Sequence, residues 1–527
     1  MAGQLQELAQ TDFSGGVNAV PSPYLVGPKQ VSRIRNLILD EHGSLSTRDG
    51  YSIVTTSPDL STPIVYRGVL NQTTGASFPF AIQTTGATGQ LYRTDSTPWT
   101  AIGAARNYGF TPQSVTVVDK EFIAGGNAFT AVLYDGTTIT PIAALAGQTI
   151  PPGAAHCAFH LGYVWVWNTN VATTTLDGSS SLRTSDANNP NSWPNANQTF
   201  ISKDDGQVGM GLAEYTIAEA GISPSQTLIA FKNQSAYQIT GVFGSSNFSI
   251  QKIKSDMGCV APRTIQFAAG FGIMRLTHRG FALFNGVNDL IISEEIRPYI
   301  LGHDDITGLN FPSIGRSWAT QSQNPPLYVA ACPTSSNNLT RFFVYDLIRK
   351  AWSVCDFPID ISCLSLFTTP SQQPVIHAGT SSTGQILQLF AQDPSDNGSL
   401  IPWSFTSRPY FMGSYMRPTF WRRLIVDMLF PTPSQAVTVN STLTGLSSSV
   451  SKTMTFAGTG ASATYNGSAQ YDSGAVYDGA STVDGRQDVS IMKTAPSVKL
   501  AMSGSGNVRI RGLVYQARSK PLTKAVV

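Results

Sequence analysis

Short apolar strands, each followed by a polar turn and an aromatic-rich strand, recur along the chain. The clearest copies are residues 227–241, TLIAFKNQSAYQITG, and residues 272–286, GIMRLTHRGFALFNG. Alternating apolar positions bounded by glycine and asparagine predict antiparallel hairpins. Two copies so close together indicate a repeating all-β architecture.

The same hairpin can be placed seven times between residues 64 and 392. Its first strands are centred on Phe80, Phe122, Val164, Ile229, Ile273, Val329 and Ile376, at spacings of 42, 42, 65, 44, 56 and 47 residues. Periods of this length are typical of β-propeller blades, because a ring of small sheets buries each sheet against its neighbours. The pattern predicts a β-propeller of six or seven blades, with a β-sandwich as the alternative.

Three regions follow from this pattern. Residues 1–60 form a proline-interrupted N-terminal arm or assembly segment, in which apolar positions predict a helix over 30–39. Residues 61–395 form the propeller, with an insertion near 168–224 that accounts for the spacing of 65. Residues 396–527 form a C-terminal β-sandwich-like domain.

A six-residue repeat lies within the C-terminal region, at Tyr465, Tyr471 and Tyr477. An even period keeps aromatic side chains on one face of an extended chain. The repeat is either a docking surface or an ordinary sheet face.

Composition narrows the function without naming one. Only 13% of the residues are charged and the net charge is +2, without the concentrated basic face of a dedicated DNA-binding domain. The five cysteines form no CxxC pair, which indicates reduced, buried thiols. The first residues lack the pattern of a secretory signal, and no apolar run is long enough to cross a bilayer, so neither Sec export nor membrane insertion is expected.

Candidate chemistry is sparse. His156 and His160 stand four apart, but in a segment predicted as strand, where about 13 Å separates them. Residues 204–206 and 186–193 are interpreted as structural turns, although the second is similar to an Asp-box turn. No nucleotide-binding or hydrolase motif stands in a fitting context. We expect no enzyme activity, no cofactor and no metal.

Basic residues concentrate in the last quarter of the chain. They face either a DNA-containing lumen or an ordinary solvated or subunit-facing surface. The candidates are Arg417, Arg422, Arg423, Arg509 and Arg511.

Several blocks of the sequence, in order, resemble tail-tube and nozzle-type structural proteins of bacteriophages. The blocks are DFSGGVN (12–18), GSLSTRDGY (43–51), AFKNQSAYQITG (230–241), SDMGCVAPRTI (255–265), HRGFALFNG (278–286) and SEEIRPYI (293–300).

This resemblance implies a virion structural protein, the tail nozzle or tail hub of a short-tailed phage. It implies a homohexameric ring whose channel carries double-stranded DNA, with portal–adaptor ring proteins and tail fibre or tip proteins as partners. The protein is then expected in the virion after assembly in the bacterial cytoplasm. A hexamer needs side surfaces for its neighbours, which the N-terminal segment could supply. The interface candidates are Phe13, Gly15, Gly16, Arg48 and Gly50.

Two other functions remain open at this point. The propeller could bind a host-surface glycan or receptor, or it could be a hydrolase of cell-surface polysaccharide. Carboxylate pairs for such a hydrolase meet only in three dimensions, so their spacing in the sequence cannot identify them.

Overall fold

Antiparallel β-sheet dominates the fold. The computed structural model describes residues 4–20, 22, 25–40, 42–59, 61–86, 88–108, 111–126, 129–143, 145–151, 153–169, 178–217, 225–303, 305–323, 325–334, 338–368, 374–391, 393–413, 417–430, 437–444, 450–456 and 483–519. The tyrosine repeat at 465–477 lies outside these residues.

The N-terminal segment contributes five strands. They are β1 (Gln6–Gln10), β2 (Val31–Arg35), β3 (Leu37–Leu39), β4 (Leu45–Thr47) and β5 (Tyr51–Thr56).

Five four-stranded meanders follow as blades 1–5. Blade 1 contains β6 (Ile64–Asn71), β7 (Ser77–Thr85), β8 (Thr88–Arg93) and β9 (Thr100–Asn107). Blade 2 contains β10 (Gln113–Val117), β11 (Lys120–Ala124), β12 (Val132–Tyr134) and β13 (Ile139–Pro141). Blade 3 contains β14 (His156–His160), β15 (Tyr163–Trp167), β16 (Ser181–Thr184) and β17 (Gln198–Phe200). Blade 4 contains β18 (Gly209–Ile217), β19 (Ser225–Lys232), β20 (Ala236–Thr240) and β21 (Ser249–Lys252). Blade 5 contains β22 (Gln266–Ala268), β23 (Gly272–Thr277), β24 (Gly280–Phe284) and β25 (Asp289–Ile291).

Blades 6 and 7 share one long strand within a seven-stranded sheet. Its strands are β26 (Trp318–Gln323), β27 (Pro326–Pro333), β28 (Leu339–Asp346), β29 (Ala351–Thr368), β30 (Pro374–Thr380) and β31 (Gln385–Leu389), followed by β5. The first half of β29 pairs with β28 as the outer strand of blade 6, and the second half pairs with β30 as the inner strand of blade 7. Short helical turns connect elements at Pro262–Thr264, Glu294–Ile296, Arg297–Leu301 and Phe311–Arg316.

The described blades close into a ring of seven. The first strand of each blade contacts the first strand of the next, and β29 contacts β6 to complete the circle. Strand β5 pairs with β31 as the outermost strand of blade 7, so the chain's beginning completes its last blade. This arrangement confirms the predicted all-β propeller and settles the number of blades.

All seven predicted hairpins are present. In each blade the predicted first strand is the second strand of the meander, and its partner is the third. These two strands are the central strands of each blade, with a hydrogen-bonded strand along either edge, which is why their apolar pattern is strong. Residues 168–224, predicted to hold an insertion, also contain β16, β17 and β18.

A β-sandwich packs beside the propeller, as predicted. The C-terminal region supplies β32 (Ser395–Asp396), β33 (Ser399–Leu400), β34 (Pro402–Ser407), β35 (Thr419–Phe430), β36 (Val437–Thr444), β37 (Val450–Phe456), β38 (Val483–Ala495), β39 (Lys499–Ser505) and β40 (Arg509–Ser519). One sheet has the order β3-β4-β40-β35-β38, with β1 also on β40, and the other has the order β2-β34-β39-β36-β37. Strands β1–β4 therefore belong to the sandwich and are not a separate arm.

The helix predicted over 30–39 is wrong. A register shift between Val31 and Arg33 in β2 spaces the buried positions Val31 and Ile34 three apart, as in a helix. Asn36, with φ of 59°, then separates β2 from β3. A bulged strand thus imitates helical periodicity.

One apolar core joins the propeller and the sandwich. Buried side chains of blades 5 and 6 lie in the same apolar cluster as those of the sandwich and the N-terminal segment. The propeller and the sandwich consequently share one apolar interior.

Candidate functional site

The glycine-rich opening, predicted as a subunit or adaptor interface, lies inside the chain's own core. Phe13 is fully buried and packs edge-on against Phe405, with ring centroids 6.0 Å apart. Gly16 has φ of 64°, and a Cβ there would lie 2.6 Å from the carbonyl oxygen of Trp352. Gly15 beside it is half-buried. The structure corrects the interface prediction for Phe13 and Gly16, because they pack the N-terminal segment onto the sandwich and blade 6. Gly15 contacts Lys29 and Gln30 within the N-terminal segment.

Arg48 is likewise not a surface residue. Its guanidinium forms two hydrogen bonds to the Asp396 carboxylate, at 2.8 and 2.7 Å, and both side chains are almost completely buried. The Nε donates to the Asn36 side-chain oxygen at 3.2 Å, and the guanidinium carbon lies 3.8 Å from the centroid of the Phe357 ring. Arg48 therefore joins the N-terminal segment, blade 6 and the residues after blade 7.

Gly50 occupies a close approach between two backbone segments. A Cβ at this position would lie 1.7 Å from the carbonyl oxygen of Ser395, and the Gly50 N–H donates to the carbonyl of Asp393 at 2.7 Å. Only glycine fits here, and the predicted interface role is again replaced by an internal one.

Three of the five basic candidates form ion pairs on the outer face of the sandwich. Arg423 lies 3.2 Å from Asp488, and Arg511 lies 2.8 Å from Asp427. Arg509 contacts a carboxylate of the N-terminal segment at 3.0 Å. Each pair is partly exposed, so positive charge on this sheet is balanced locally. The other two candidates, Arg417 and Arg422, are exposed.

Buried ion pairs inside the blades were missed by sequence reasoning. Lys232 Nζ lies 2.8 Å from Asp205, and Arg275 lies 2.8 Å from Asp289, with both cations fully buried. Asp205 belongs to the predicted turn at 204–206, which the structure confirms as a turn. These pairs link neighbouring loops and strands and do not open onto a cleft.

The turn at 186–193 is structural, as interpreted. Asp186 accepts a short hydrogen bond from the hydroxyl of Ser192, and Trp193 is buried with its indole N–H donating to the Pro190 carbonyl at 2.9 Å. The Asp186 carboxylate thus stabilises the conformation of this turn.

The two histidines of β14 stand at opposite ends of the strand, in the extended conformation that was predicted. Burial lowers the pKa of His156 to about 3, so its imidazole is neutral. His160 lies 3.4 Å from Glu214, and burial also lowers the pKa of this histidine. No group of three His, Cys, Asp or Glu side chains suited to a metal occurs among the described residues.

A cluster of hydrogen-bonded polar groups lies where blades 1 and 2 meet. Glu121 is buried and accepts hydrogen bonds from Thr116, at 2.7 Å, and from Ser114. Ser114 is in turn 2.8 Å from the hydroxyl of Tyr66. Burial raises the pKa of Glu121 to about 7. Across the ring, Arg263 donates to a backbone carbonyl of blade 2 and thus crosses the channel.

Two open grooves lie outside the channel. One, of about 530 Å³, is lined by residues of blades 4 and 5 that include Lys252, Lys254 and His278. The other, of about 490 Å³, lies beside the sandwich and is lined by Arg35, Trp403 and several serines. Both grooves are open to solvent.

No family model matches the sequence, and no curated protein matches it. Among solved structures, BBS1N in complex with ARL6DN matches at 12% identity and a TM-score of 0.40, over 65% of this chain and 97% of that chain. YCF48 bound to D1 peptide matches at 10% identity and a TM-score of 0.39, over 67% and 97%. The extracellular domain of a one-component system from B. thetaiotaomicron matches at 9% identity and a TM-score of 0.38, over 64% and 39%. The fold assignment rests on the strand pairing of this chain itself.

Among the described residues, no helix has the length and apolar character needed to cross a bilayer.

Proposed function

We propose that this chain is a non-enzymatic structural subunit of a phage tail nozzle, in which copies of the chain assemble into a ring. The observation that carries the proposal is the way the N-terminal segment completes both sheets of the sandwich and the last blade of the propeller. A subunit built in this way keeps the propeller and the sandwich in a fixed relation, as a ring under mechanical load requires. The resemblance of the ordered sequence blocks to nozzle-type proteins is the reason for proposing a phage tail.

The DNA path in this proposal lies between subunits. Arg263 crosses the channel of the single propeller, so a duplex would pass along the axis of the ring instead. The paired charges of Arg423, Arg511 and Arg509 suit a wall near moving DNA. Each unpaired cation that neutralises a phosphate adds affinity and would retard passage.

Assembly is the direct test. The purified chain, alone and mixed with portal–adaptor rings, is examined by analytical ultracentrifugation and electron microscopy. We expect closed rings, hexameric by the resemblance, stacked on the adaptor. A chain that stays monomeric even with adaptor rings present would rule the proposal out.

A receptor-binding module is the second candidate, and the groove of about 530 Å³ favours it. Lys252 and Lys254 are exposed and two residues apart along an extended segment, and they line this groove together with His278. Such a surface suits an acidic saccharide. Binding on a glycan array that is lost in a Lys252→Gln, Lys254→Gln variant, without ring formation, would favour this function.

A further inference from the structure

Arg263 occupies an unusual position inside the propeller ring. It lies in the helical turn just before β22, at the end of the channel where the innermost strands begin. Its Nη2 donates to the carbonyl oxygen of Thr111, which precedes the innermost strand of blade 2. Its guanidinium carbon lies 5.6 Å from the ring centroid of Trp318, the first residue of β26. One side chain thus bridges blades 2, 5 and 6.

Three enclosed cations among the described residues have a carboxylate partner. Arg48, Lys232 and Arg275 each lie within 2.8 Å of an aspartate oxygen. Arg263 forms no ion pair within the described residues. Burying an uncompensated charge is costly, so enclosed charges are normally paired. Arg263 departs from this rule.

Other enclosed guanidiniums among the described residues also lack a carboxylate, but they lie elsewhere: the half-buried Arg106 and Arg408, and the buried Arg67 and Arg183. Arg67 is held between blades by the Phe80 carbonyl and the Thr94 hydroxyl, at 3.0 and 2.6 Å, and Arg183 donates to a loop carbonyl at 2.8 Å. Both are nearly inaccessible to solvent, whereas Arg263 is only half-buried and borders the channel. Arg263 thus keeps more exposed surface than Arg67 and Arg183, and it contacts three blades at the channel end.

Two groups that interact electrostatically with Arg263 carry no negative charge. Tyr66 and Cys157 interact with it electrostatically, and burial raises the pKa of both, so they are neutral near pH 7. His156 is neutral as well, because burial lowers its pKa to about 3. Burial lowers the pKa of Arg263 itself to about 10, which leaves it charged under physiological conditions.

We propose that the channel end at Arg263 binds an oxyanion, of the phosphate or carboxylate class, which supplies the missing counter-charge. A guanidinium presents a planar fork of donors that matches two oxygens of such a group. Tyr66 lies on the same side of the channel, with its ring centroid 6.1 Å from that of Trp318. The site draws on three blades and exists only when the ring is closed.

A chain of hydroxyl groups connects this site to Glu121. When Glu121 is ionised, Ser114 donates to it, and Tyr66 must donate to Ser114. When Glu121 is protonated, the chain can reverse, and the Tyr66 hydroxyl becomes a free donor for the anion. Thr116 bonds only the other carboxylate oxygen, so it does not block the reversal. Anion binding is therefore coupled to uptake of one proton at Glu121. His156 and Cys157 stay neutral across this step.

Sulfate is the probe of choice, because it does not titrate between pH 5 and 8. Isothermal titration of the full chain at constant ionic strength is expected to show saturable binding, tighter at pH 6 than at pH 8. Arg263→Gln is expected to weaken binding about 10-fold or more, since a charge-assisted hydrogen bond is lost. Arg422→Gln removes an exposed arginine of the same charge and is expected to leave sulfate binding unchanged.

Further binding measurements test the proposed anion site. Acetate in place of sulfate distinguishes a carboxylate site from a phosphate-type site. Glu121→Gln is expected to remove the pH dependence and keep the binding. If Arg263→Gln does not fold, Arg263→Lys keeps the charge without the fork and is expected to bind more weakly than wild type. Absence of saturable binding of both anions, or equal binding by the Arg263 and Arg422 variants, would overturn the proposal, which does not depend on the phage assignment.

Discussion

Asp396→Asn is expected to destabilise the junction between the N-terminal segment and the propeller more than any surface charge change. The side chains of Arg48 and Asp396 have exposures of 0% and 2%, and they form two hydrogen bonds to each other. Asparagine has nearly the same shape, so the substitution removes the counter-charge and leaves the cavity filled. Removing one member of a buried pair typically costs about 3–5 kcal/mol.

The loss should be concentrated near β5. Arg48 follows β4 in the sandwich and precedes β5, the closing strand of blade 7. A chain of this size need not unfold in one step, so a single global free energy is a poor readout. Hydrogen exchange of the β5 amides measures the local opening free energy directly. We expect these amides to lose protection and the N-terminal segment to become sensitive to protease.

Two control variants are needed to interpret the effect of Asp396→Asn. Asp427→Asn removes the partner of Arg511 in a half-exposed pair, where a cost of about 1 kcal/mol or less is expected. Replacing both Arg48 and Asp396 by apolar residues should restore much of the loss, because no charge stays buried alone. If the β5 amides are equally protected from hydrogen exchange in the Asp396→Asn and Asp427→Asn variants, the buried pair does not stabilise this junction.

Three further predictions concern other parts of the fold. Burial holds the pKa of Glu121 at about 7, above its ordinary 4.5, so the contribution of this group to the stability of the folded state falls as pH rises from 4.5 to 7. Burial lowers the pKa values of His156 and His377 to about 3, so these groups shift stability in the opposite direction and do so equally in wild type and variant. Relative to Glu121→Gln, wild type should lose roughly 3 kcal/mol over this window, which thermal unfolding of both proteins at pH 5 and pH 8 would reveal. Gly16→Ala should cost about 1–3 kcal/mol, since its positive φ and the carbonyl of Trp352 leave no room for a methyl group, and a melting temperature equal to wild type would contradict this. Removal of residues 1–56 should expose the edge of β31 and the open sandwich sheets, and light scattering should then show aggregation, whereas a soluble monomer would contradict the closure described above.

The second and third strands of every blade were predictable from the sequence. Their apolar residues alternate locally and end at glycine, asparagine or aspartate turns, so near neighbours carry the information. The C-terminal sandwich and the turn at 186–193 could be predicted for the same reason.

The role of the first 60 residues became clear only in the folded protein. From the sequence, Phe13, Gly16 and Arg48 were predicted to belong to an assembly surface. Their partners lie in blade 6 and the sandwich, more than 300 residues further along the chain, so no local pattern indicated that these residues are internal. The innermost strands were hard to predict because one side borders a polar channel and weakens their apolar pattern. Arg263 had no distinguishing feature in the sequence. Its enclosed, unpaired charge arises when ring closure brings blades 2, 5 and 6 together around it, and local patterns cannot encode that distance.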